Sequence, residues 1–290
     1  MPIGIPRRIS RKTPRFSIMA AGGAGLGKTS FLATMFPNNI HPPREIPLED
    51  EREDEVAFSQ TKTTEIYEFE SGDGKTNIEI IDTAGFDEDT DIEQWIGGIV
   101  GFIEKRYQTV LDEEQRIKRN PNFEDYRVHV LLYFISPNSD GLDDADMLFF
   151  RRVGPLVNII PIVAKADVFT PDELAVFKEQ IRGGIKTHKL PIFGFGGAFD
   201  EEETEETEAE EAKKKIPFAV ISGTSVREGR RGRSYTWGFA DADNPEHCDT
   251  ALLCHSVLVS KRQDLKDITE DYLYEQYRTE NLSQREAGRV

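Results

Sequence analysis

The sequence predicts an α/β fold with a mostly parallel sheet and flanking helices. Three observations predict it. Short apolar strands alternate with helical stretches between about residues 15 and 221. A single hairpin interrupts that alternation. A glycine-rich turn joins the first strand to the first helix.

Taken in order, Arg15–Ala21 reads as a short buried strand, followed by the glycine turn and a helix from Lys28 to Met35 that Pro37 stops. Residues 38–60 are polar, acidic and proline-containing, and read as a long mobile loop. Thr63–Phe69 alternates as a strand, residues 71–75 form a hairpin turn, and Asn77–Ile81 is the return strand ending at Asp82. A helix is predicted from Ile92 to about Tyr107. Two apolar strands, Val128–Ile135 and Val157–Ala164, flank a helix over Ala145–Arg152. Pro171 is placed to open a further helix running to Ile181, and Pro217–Ile221 is the last core strand. Residues 200–211 lack apolar periodicity and read as a disordered surface loop.

Composition excludes several classes. Of the 290 residues, 38% are hydrophobic and 10% aromatic, enough for a packed core rather than a disordered chain. No apolar run approaches the ~20 residues of a spanning helix, and the N-terminus lacks the apolar core of a signal peptide. Two cysteines, Cys248 and Cys254, cannot build a disulfide framework or a four-ligand zinc site, and a reduced cytoplasmic compartment fits. Lys and Arg number 36 against 53 Asp and Glu, a formal net charge of -17. Nine of the acids lie in 200–211, and the first fifteen residues carry Arg7, Arg8, Arg11, Lys12 and Arg15 with no acid. The balance excludes nucleic acid as the main partner, which needs a basic face. The basic arm suits anionic lipid, at roughly 1 kcal/mol per basic residue near such a surface; the alternative is a solvated leader.

The chemistry sits in three ordered motifs. Gly22-Gly23-Ala24-Gly25-Leu26-Gly27-Lys28-Thr29 fits G-x-x-x-x-G-K-[ST] between a strand and a helix. Backbone N–H groups freed by Gly25 and Gly27 wrap phosphates, with Ser30 continuing into the helix N-terminus. Lys28 reaches the β- and γ-phosphates and the Thr29 hydroxyl takes one Mg²⁺ position. In Asp82-Thr83-Ala84-Gly85 the acid can hold Mg²⁺ through water and the Gly85 N–H can sense the γ-phosphate. Ala164-Lys165-Ala166-Asp167 resembles the guanine-reading element of GTPases: Asp167 accepts two hydrogen bonds from guanine, which adenine does not offer, and Lys165 lies along the base plane. The order and spacing predict a P-loop NTPase of the Ras-like G-domain class.

The C-terminal quarter narrows the class. Gly232-Arg233-Ser234-Tyr235-Thr236-Trp237-Gly238 and Asn244-Pro245-Glu246-His247-Cys248-Asp249 resemble the septin-unique element. Phe134–Pro137, Val157–Pro161 and Tyr274–Leu282 also resemble septin segments, so the similarity runs over roughly 16–282. It implies a basic N-terminal segment over 1–15, a GTP-binding G domain over 16–225 and a septin-unique element with terminal helices over 226–290, without the C-terminal coiled coil usual in the family.

The resemblance implies GTP or GDP and Mg²⁺ as ligands, and septin subunits, its own or others, as filament partners across a nucleotide-side and a termini-side interface. It implies a place in the cytoskeleton, at the cell cortex or division site. Arg233 matches the arginine that packs on guanine, and with Trp237, Glu173 and Asp140 it would lie at the nucleotide-side interface. Thr63 falls where hydrolysing septins carry a threonine that places water and Mg²⁺, with Thr61 and Thr64 close alternatives. Gly223 belongs to Ser222-Gly223-Thr224, which stands where septins often read G-S-N on the guanine side. Arg7, Arg8, Arg11 and Lys12 match a segment implicated in phosphoinositide binding. Trp237 alone would read as a core aromatic.

Departures from the pattern bear on activity. Ala84 and Thr236 replace family prolines, Phe86 follows the switch glycine where Ras-like enzymes place a water-orienting glutamine, and Asp140 stands where many septins have a histidine. Two function classes follow: a slow GTPase, or a structural subunit holding guanine nucleotide as a fixed cofactor. A different P-loop GTPase acting at membranes is the reading outside the family, and the Trp237 block opposes it.

Overall fold

The computed structural model describes residues 14–35, 44–45, 61–71, 74–118, 120, 123–137, 140–195, 208–223, 225–227 and 229–287. Among the described residues ten strands and eight α-helices follow one another as β1 (Arg15–Gly22), α1 (Lys28–Met35), β2 (Arg44–Glu45), β3 (Thr61–Ser71), β4 (Gly74–Thr83), α2 (Ile92–Glu114), β5 (Val130–Ile135), α3 (Asp144–Val153), β6 (Asn158–Val163), α4 (Pro171–His188), α5 (Glu208–Lys215), β7 (Phe218–Ala219), β8 (Ser225–Arg227), β9 (Arg230–Ser234), β10 (Phe239–Asp241), α6 (Thr250–His255), α7 (Arg262–Asp267) and α8 (Tyr274–Ala287). Short π-helical turns join α6 to α7 and α7 to α8.

One seven-stranded sheet runs in the order β2-β3-β4-β1-β5-β6-β7. β1, β4, β5, β6 and β7 are parallel, and the β3–β4 hairpin supplies the antiparallel edge that the sequence predicts. β8, β9 and β10 form a separate antiparallel meander. Successive strand residues point to opposite faces, and both faces are covered. Met19, Ile81, Leu131 and Tyr133 pack under α2, α3, α4 and α8. Ile18, Ile80, Val130 and Leu132 pack under α1, α5, α6 and α7. A sheet buried on both faces carries continuous apolar strands, which is why β5 reads VLLYFI without alternation.

The helix ends follow local chemistry. Asp91 caps α2 by accepting from the Gln94 N–H, and the apolar stripe of Trp95, Ile99, Ile103, Tyr107 and Val110 carries the helix to Glu114, past the predicted end at Tyr107. Thr170 and Glu173 form a reciprocal capping box at the start of α4, and Lys189 in the left-handed region ends it at His188, beyond the predicted Ile181. The last core strand is confined to Phe218–Ala219, shorter than Pro217–Ile221.

Two loop assignments are corrected. Residues 208–211 of the acidic run are helical in α5, whose Lys213, Lys214 and Lys215 occupy the last turn where cations complement the dipole. Its Ala212 is fully buried in the core. Arg44–Glu45, inside the predicted mobile loop, pairs antiparallel with β3. Arg15, counted with the basic residues of the first fifteen, is buried in β1 as its strand reading predicts, and is ion-paired to Glu79 at 3.0 Å. The predicted Pro37 stop, the rest of 38–60 and Arg7, Arg8, Arg11 and Lys12 lie outside the described residues.

A polar belt crosses the foot of the sheet. Glu79 on β4 is 1% exposed and accepts from Arg15, Arg106 and the Ser17 hydroxyl. The Ser17 N–H donates to His129 Nδ1, and Asn158 on β6 donates to the carbonyls of His129 and Leu265 and to Thr269. Asp125, His129 and Glu270 also gather within 4.8 Å. Arg127 pairs with both carboxylates, and His129 Nδ1 is already an acceptor, which puts the neutral ring's proton on Nε2. The one guanidinium thus bridges both acids and offsets one of their two charges.

Burial alone would raise the Glu79 carboxyl, but Arg106, Arg15 and Ser17 outweigh it and lower it from 4.5 to about 2. A depressed pKa contributes stability above the unfolded value that is lost as pH falls through the folded one. Stability should therefore decline between about pH 5 and pH 2, by roughly 3 kcal/mol from this group. Urea unfolding of wild type and Glu79→Gln across that window checks it. The variant should be weaker at pH 7 and lose this part of the acid limb; parallel curves would remove Glu79 as its source.

Candidate functional site

The glycine turn forms a phosphate-binding type of loop because three glycines take conformations that side chains rarely adopt. Gly22, Gly25 and Gly27 have φ of 132°, 71° and 87°. At Gly22 a Cβ would also stand 2.4 Å from the Phe134 carbonyl oxygen across the β1–β5 pair. Lys28 opens α1 and folds back, its ammonium donating to the carbonyls of Gly22 and Gly23 at 2.9 and 2.7 Å. Thr29 and Ser30 follow on the first turn.

β4 delivers the second motif beside the first. Asp82 pairs with Ala20 in the parallel register, and its Oδ2 accepts from the Thr29 hydroxyl at 2.5 Å. Its Oδ1 is buried and has no hydrogen-bond partner among the described residues. A buried anionic oxygen in that condition suits a cation. Gly85 lies directly against the loop, where a Cβ would stand 2.4 Å from the Ala24 nitrogen. The Ala24 N–H donates to the Phe86 carbonyl at 2.7 Å. In the hairpin register Thr63 is opposite Asp82, Thr61 opposite Thr83 and Thr64 opposite Ile81, with an irregularity between Thr61 and Thr63. The backbone of Thr63 is thus the nearest of the three in register to the Asp82 acid.

The third motif follows β6. Lys165 is left-handed at φ 51°, and Asp167 sits in a 3₁₀ turn over Ala166–Val168. The Ala166 N–H donates to the Val220 carbonyl, Ser222 Oγ donates to the Gly27 carbonyl at 3.2 Å, and the Gly223 N–H donates to Thr34 Oγ1 at 2.9 Å. These bonds join the Asp167 turn to the glycine loop through residues 220–223. Arg233 on β9 donates to both Asp167 oxygens, at 3.1 and 2.8 Å, and the Tyr235 hydroxyl donates to Oδ2. A base read by Asp167 shares that carboxylate with Arg233 and Tyr235. The sequence pattern singled out Arg233 and not Tyr235.

The remaining candidates lie at the surface. Trp237 is 74% exposed and stacks on Tyr235 at 4.8 Å and 10°, so it is no core aromatic. Glu173 is exposed, and the Thr170 amide and hydroxyl hold its carboxyl below the usual range. Its capping role alone accounts for that position. Asp140 is exposed, and among the described residues it forms no ion pair with Arg151 or Arg152. A cavity of about 550 Å³ adjoins Asp167, lined by Phe169, Leu174, Lys178, Trp237 and Phe239 among others, and none of its lining comes from the glycine loop.

A parallel sheet with a glycine-rich strand-to-helix loop, a lysine and threonine at the helix start and an acid on the neighbouring strand defines a P-loop nucleotide-binding protein. The Septin family profile matches residues 12–289, and the chain belongs to the septin family. It is 37% identical over 287 residues to Septin-1 of Rattus norvegicus, covering 96% of this chain and 77% of that one. It is 39% identical to Septin homolog spn3 of Schizosaccharomyces pombe, with 96% and 75% covered. Among solved structures it resembles Cdc11 from Saccharomyces cerevisiae, with a TM-score of 0.58 at 29% identity over 92% of this chain and 99% of that one. The septin GTPase domain from Chlamydomonas reinhardtii gives 0.70 at 22% identity over the same shares, a likeness of fold. The chain is thus a septin-family P-loop GTPase domain, a class that binds guanine nucleotide. Among the described residues no helix is long and apolar enough to cross a membrane.

Backbone crowding at the loop yields a comparison. Gly25→Ala strains φ but meets open space, whereas Gly85→Ala drives a methyl into Ala24. Gly25→Ala should cost about 1 kcal/mol and Gly85→Ala about 1–3 kcal/mol more. Thermal unfolding of the two variants measures this; equal melting points would show that the Gly85 contact yields freely.

Proposed function

We propose that this septin binds GTP or GDP with Mg²⁺, hydrolyses GTP slowly, and assembles into filaments through a nucleotide-side and a termini-side interface. The observation that carries the nucleotide reading is the Thr29–Asp82 contact with the buried, unpartnered Asp82 oxygen beside it. Lys28 and the N–H groups of Gly25, Gly27 and Ser30 would hold the phosphates, and Asp167, Lys165, Arg233 and Gly223 the base side. Thr29, Thr63 and Asp82 would hold Mg²⁺, which would offset phosphate charge. Hydrolysis adds water to the γ-phosphorus and releases GDP and phosphate, with Thr63 and Gly85 positioning the reacting groups. Positioning and electrostatics supply most of this catalysis, and a missing glutamine or arginine finger costs ~10³–10⁵ in rate.

A second reading keeps guanine nucleotide as a fixed structural cofactor. It is favoured by Phe86: its ring lies edge-on to Trp95 and its carbonyl is taken by Ala24, so it offers nothing to polarise water. Single-turnover hydrolysis by nucleotide-free protein separates the two. Thr63→Ala should slow turnover while GDP affinity survives; equal rates would remove Thr63 from catalysis. Asp167→Asn should weaken guanine and favour xanthine, because the match at the base edge reverses. ATP bound as well as GTP by the wild type would sink the base assignment.

The nucleotide-side contact would be anchored by Trp237 and Arg233, residue types that dominate interfaces, with Glu173 alongside. Asp140 cannot donate to a partner's phosphates as a histidine does, and like charges across an interface cost several kcal/mol. In sedimentation at matched nucleotide load, Trp237→Ala should dissociate the dimer and Asp140→His should tighten it. A dimer indifferent to the Trp237 change would place the contact on another face. Arg7, Arg8, Arg11 and Lys12 remain candidates for anionic lipid.

A further inference from the structure

Trp95 is 1% exposed on α2, and its indole reaches away from the helix core into the switch segment. Its Nε1–H donates to the Ala84 carbonyl at 3.0 Å. One face of the ring meets Phe86 edge-on at 4.9 Å, and Phe149 of α3 packs at 5.4 Å. The Ala84 carbonyl and the Gly85 N–H belong to one planar, trans peptide unit and point in opposite directions. A bond that fixes the carbonyl therefore fixes the direction of the Gly85 N–H. Two residues on, the Phe86 carbonyl is held by the Ala24 N–H of the glycine loop at 2.7 Å. Both carbonyls flanking Gly85 are thus tied, one to α2 and one to the loop.

We propose that Trp95 is a positioning residue for the terminal phosphate: its indole N–H orients the Ala84–Gly85 peptide so that the Gly85 N–H faces the phosphate end of the loop. This rests on the nucleotide reading above and adds a residue that no motif contains. Trp95 acts through Gly85 and touches no nucleotide itself. Its consequence is specific to the triphosphate, because a diphosphate leaves the γ-position unread.

The test compares affinities for GDP and for a non-hydrolysable GTP analogue in Trp95→Phe, which keeps an aromatic ring but loses the donor. Tyr107→Phe is the control: it removes another buried hydrogen bond of the same helix, to the Leu156 carbonyl at 2.7 Å, far along α2 from the switch. Losing one oriented hydrogen bond predicts a fall of about tenfold in triphosphate affinity, with GDP affinity unchanged and single-turnover hydrolysis slowed in step. Tyr107→Phe should leave the triphosphate-to-diphosphate ratio at the wild-type value. Should Trp95→Phe fail to fold, benzothienylalanine at position 95 retains the bicyclic shape without the N–H. Equal losses for both nucleotides, or no loss, would overturn the positioning role while leaving the nucleotide reading intact. A wild type that binds no guanine nucleotide would overturn the reading itself and this inference with it.

Discussion

The parallel register of β1 against β4, with Arg15 opposite Asn77 and Ala20 opposite Asp82, is the constraint from which the site follows. β1 runs into the glycine loop and β4 into the switch segment, so one set of strand pairs decides whether Thr29 meets Asp82 and Ala24 meets Phe86. Side chains alternate faces along a strand, so a slip of one residue would exchange every inward position. It would move Asp82 off Thr29 and bring Glu79 out from between its arginines. The register is held by two different means. Above and below, apolar residues such as Ile18 and Ile80, Met19 and Ile81 share the same cores. At the foot, a charged knot that needs Arg15, Ser17, Glu79 and Arg106 in one place does the same work.

That knot bears on specificity more than on net stability. Burying a carboxylate costs several kcal/mol before its partners repay it, and a well-packed apolar group could repay as much. An apolar group would also tolerate a shifted neighbour, whereas Glu79 is satisfied only when both guanidinium groups and the Ser17 hydroxyl arrive together. The belt continues through His129 and Asn158 to Leu265 and Thr269. It therefore ties the order of four central strands to the C-terminal helices, which pack into both core layers through Leu265 on one face and Tyr274 and Tyr277 on the other.

Much of this was legible in the sequence, and the reasons differ by element. The glycine loop, Asp82 and Asp167 could be read because their chemistry fixes residue types at fixed spacing. The cores of β1, β4, β5 and β6 could be read because both faces are buried and the strands are plainly apolar. The foot belt could not: Ser17, Glu79, His129 and Asn158 look like solvent positions in a linear pattern, and their partners stand 27 to 112 residues away. Composition misled at the end of the acidic run, over residues 208–211, where the apolar contact that counts is the single methyl of Ala212 just beyond it. The meander of β8, β9 and β10 has strands of three to five residues with few of the β-branched and aromatic residues that mark a strand, and only the resemblance marked its importance. Tyr235 and Trp95 escaped because each acts through a hydroxyl or N–H on a distant backbone or carboxylate, and an aromatic residue in a sequence reads first as core.

The two ends of the candidate site are held in physically different ways. The phosphate end is backbone against backbone: Gly85 on Ala24, Ala24 on Phe86, with Trp95 and Phe149 sealing it from inside. Such contacts have no rotamer freedom to lose and little room to adapt, which suits a fixed donor array. The base end is held by side chains, Arg233 and Tyr235, reaching from an exposed meander to Asp167. Tyr235 in turn stacks under the exposed Trp237. A change at Asp167 is therefore one hydrogen bond and one ring contact from the surface. Beside Gly85 the contacts instead run inward, from the Ala84 carbonyl through Trp95 and Phe149 to Tyr133, whose hydroxyl donates to Asp146 at the start of α3. Asp140 lies a few residues before that helix.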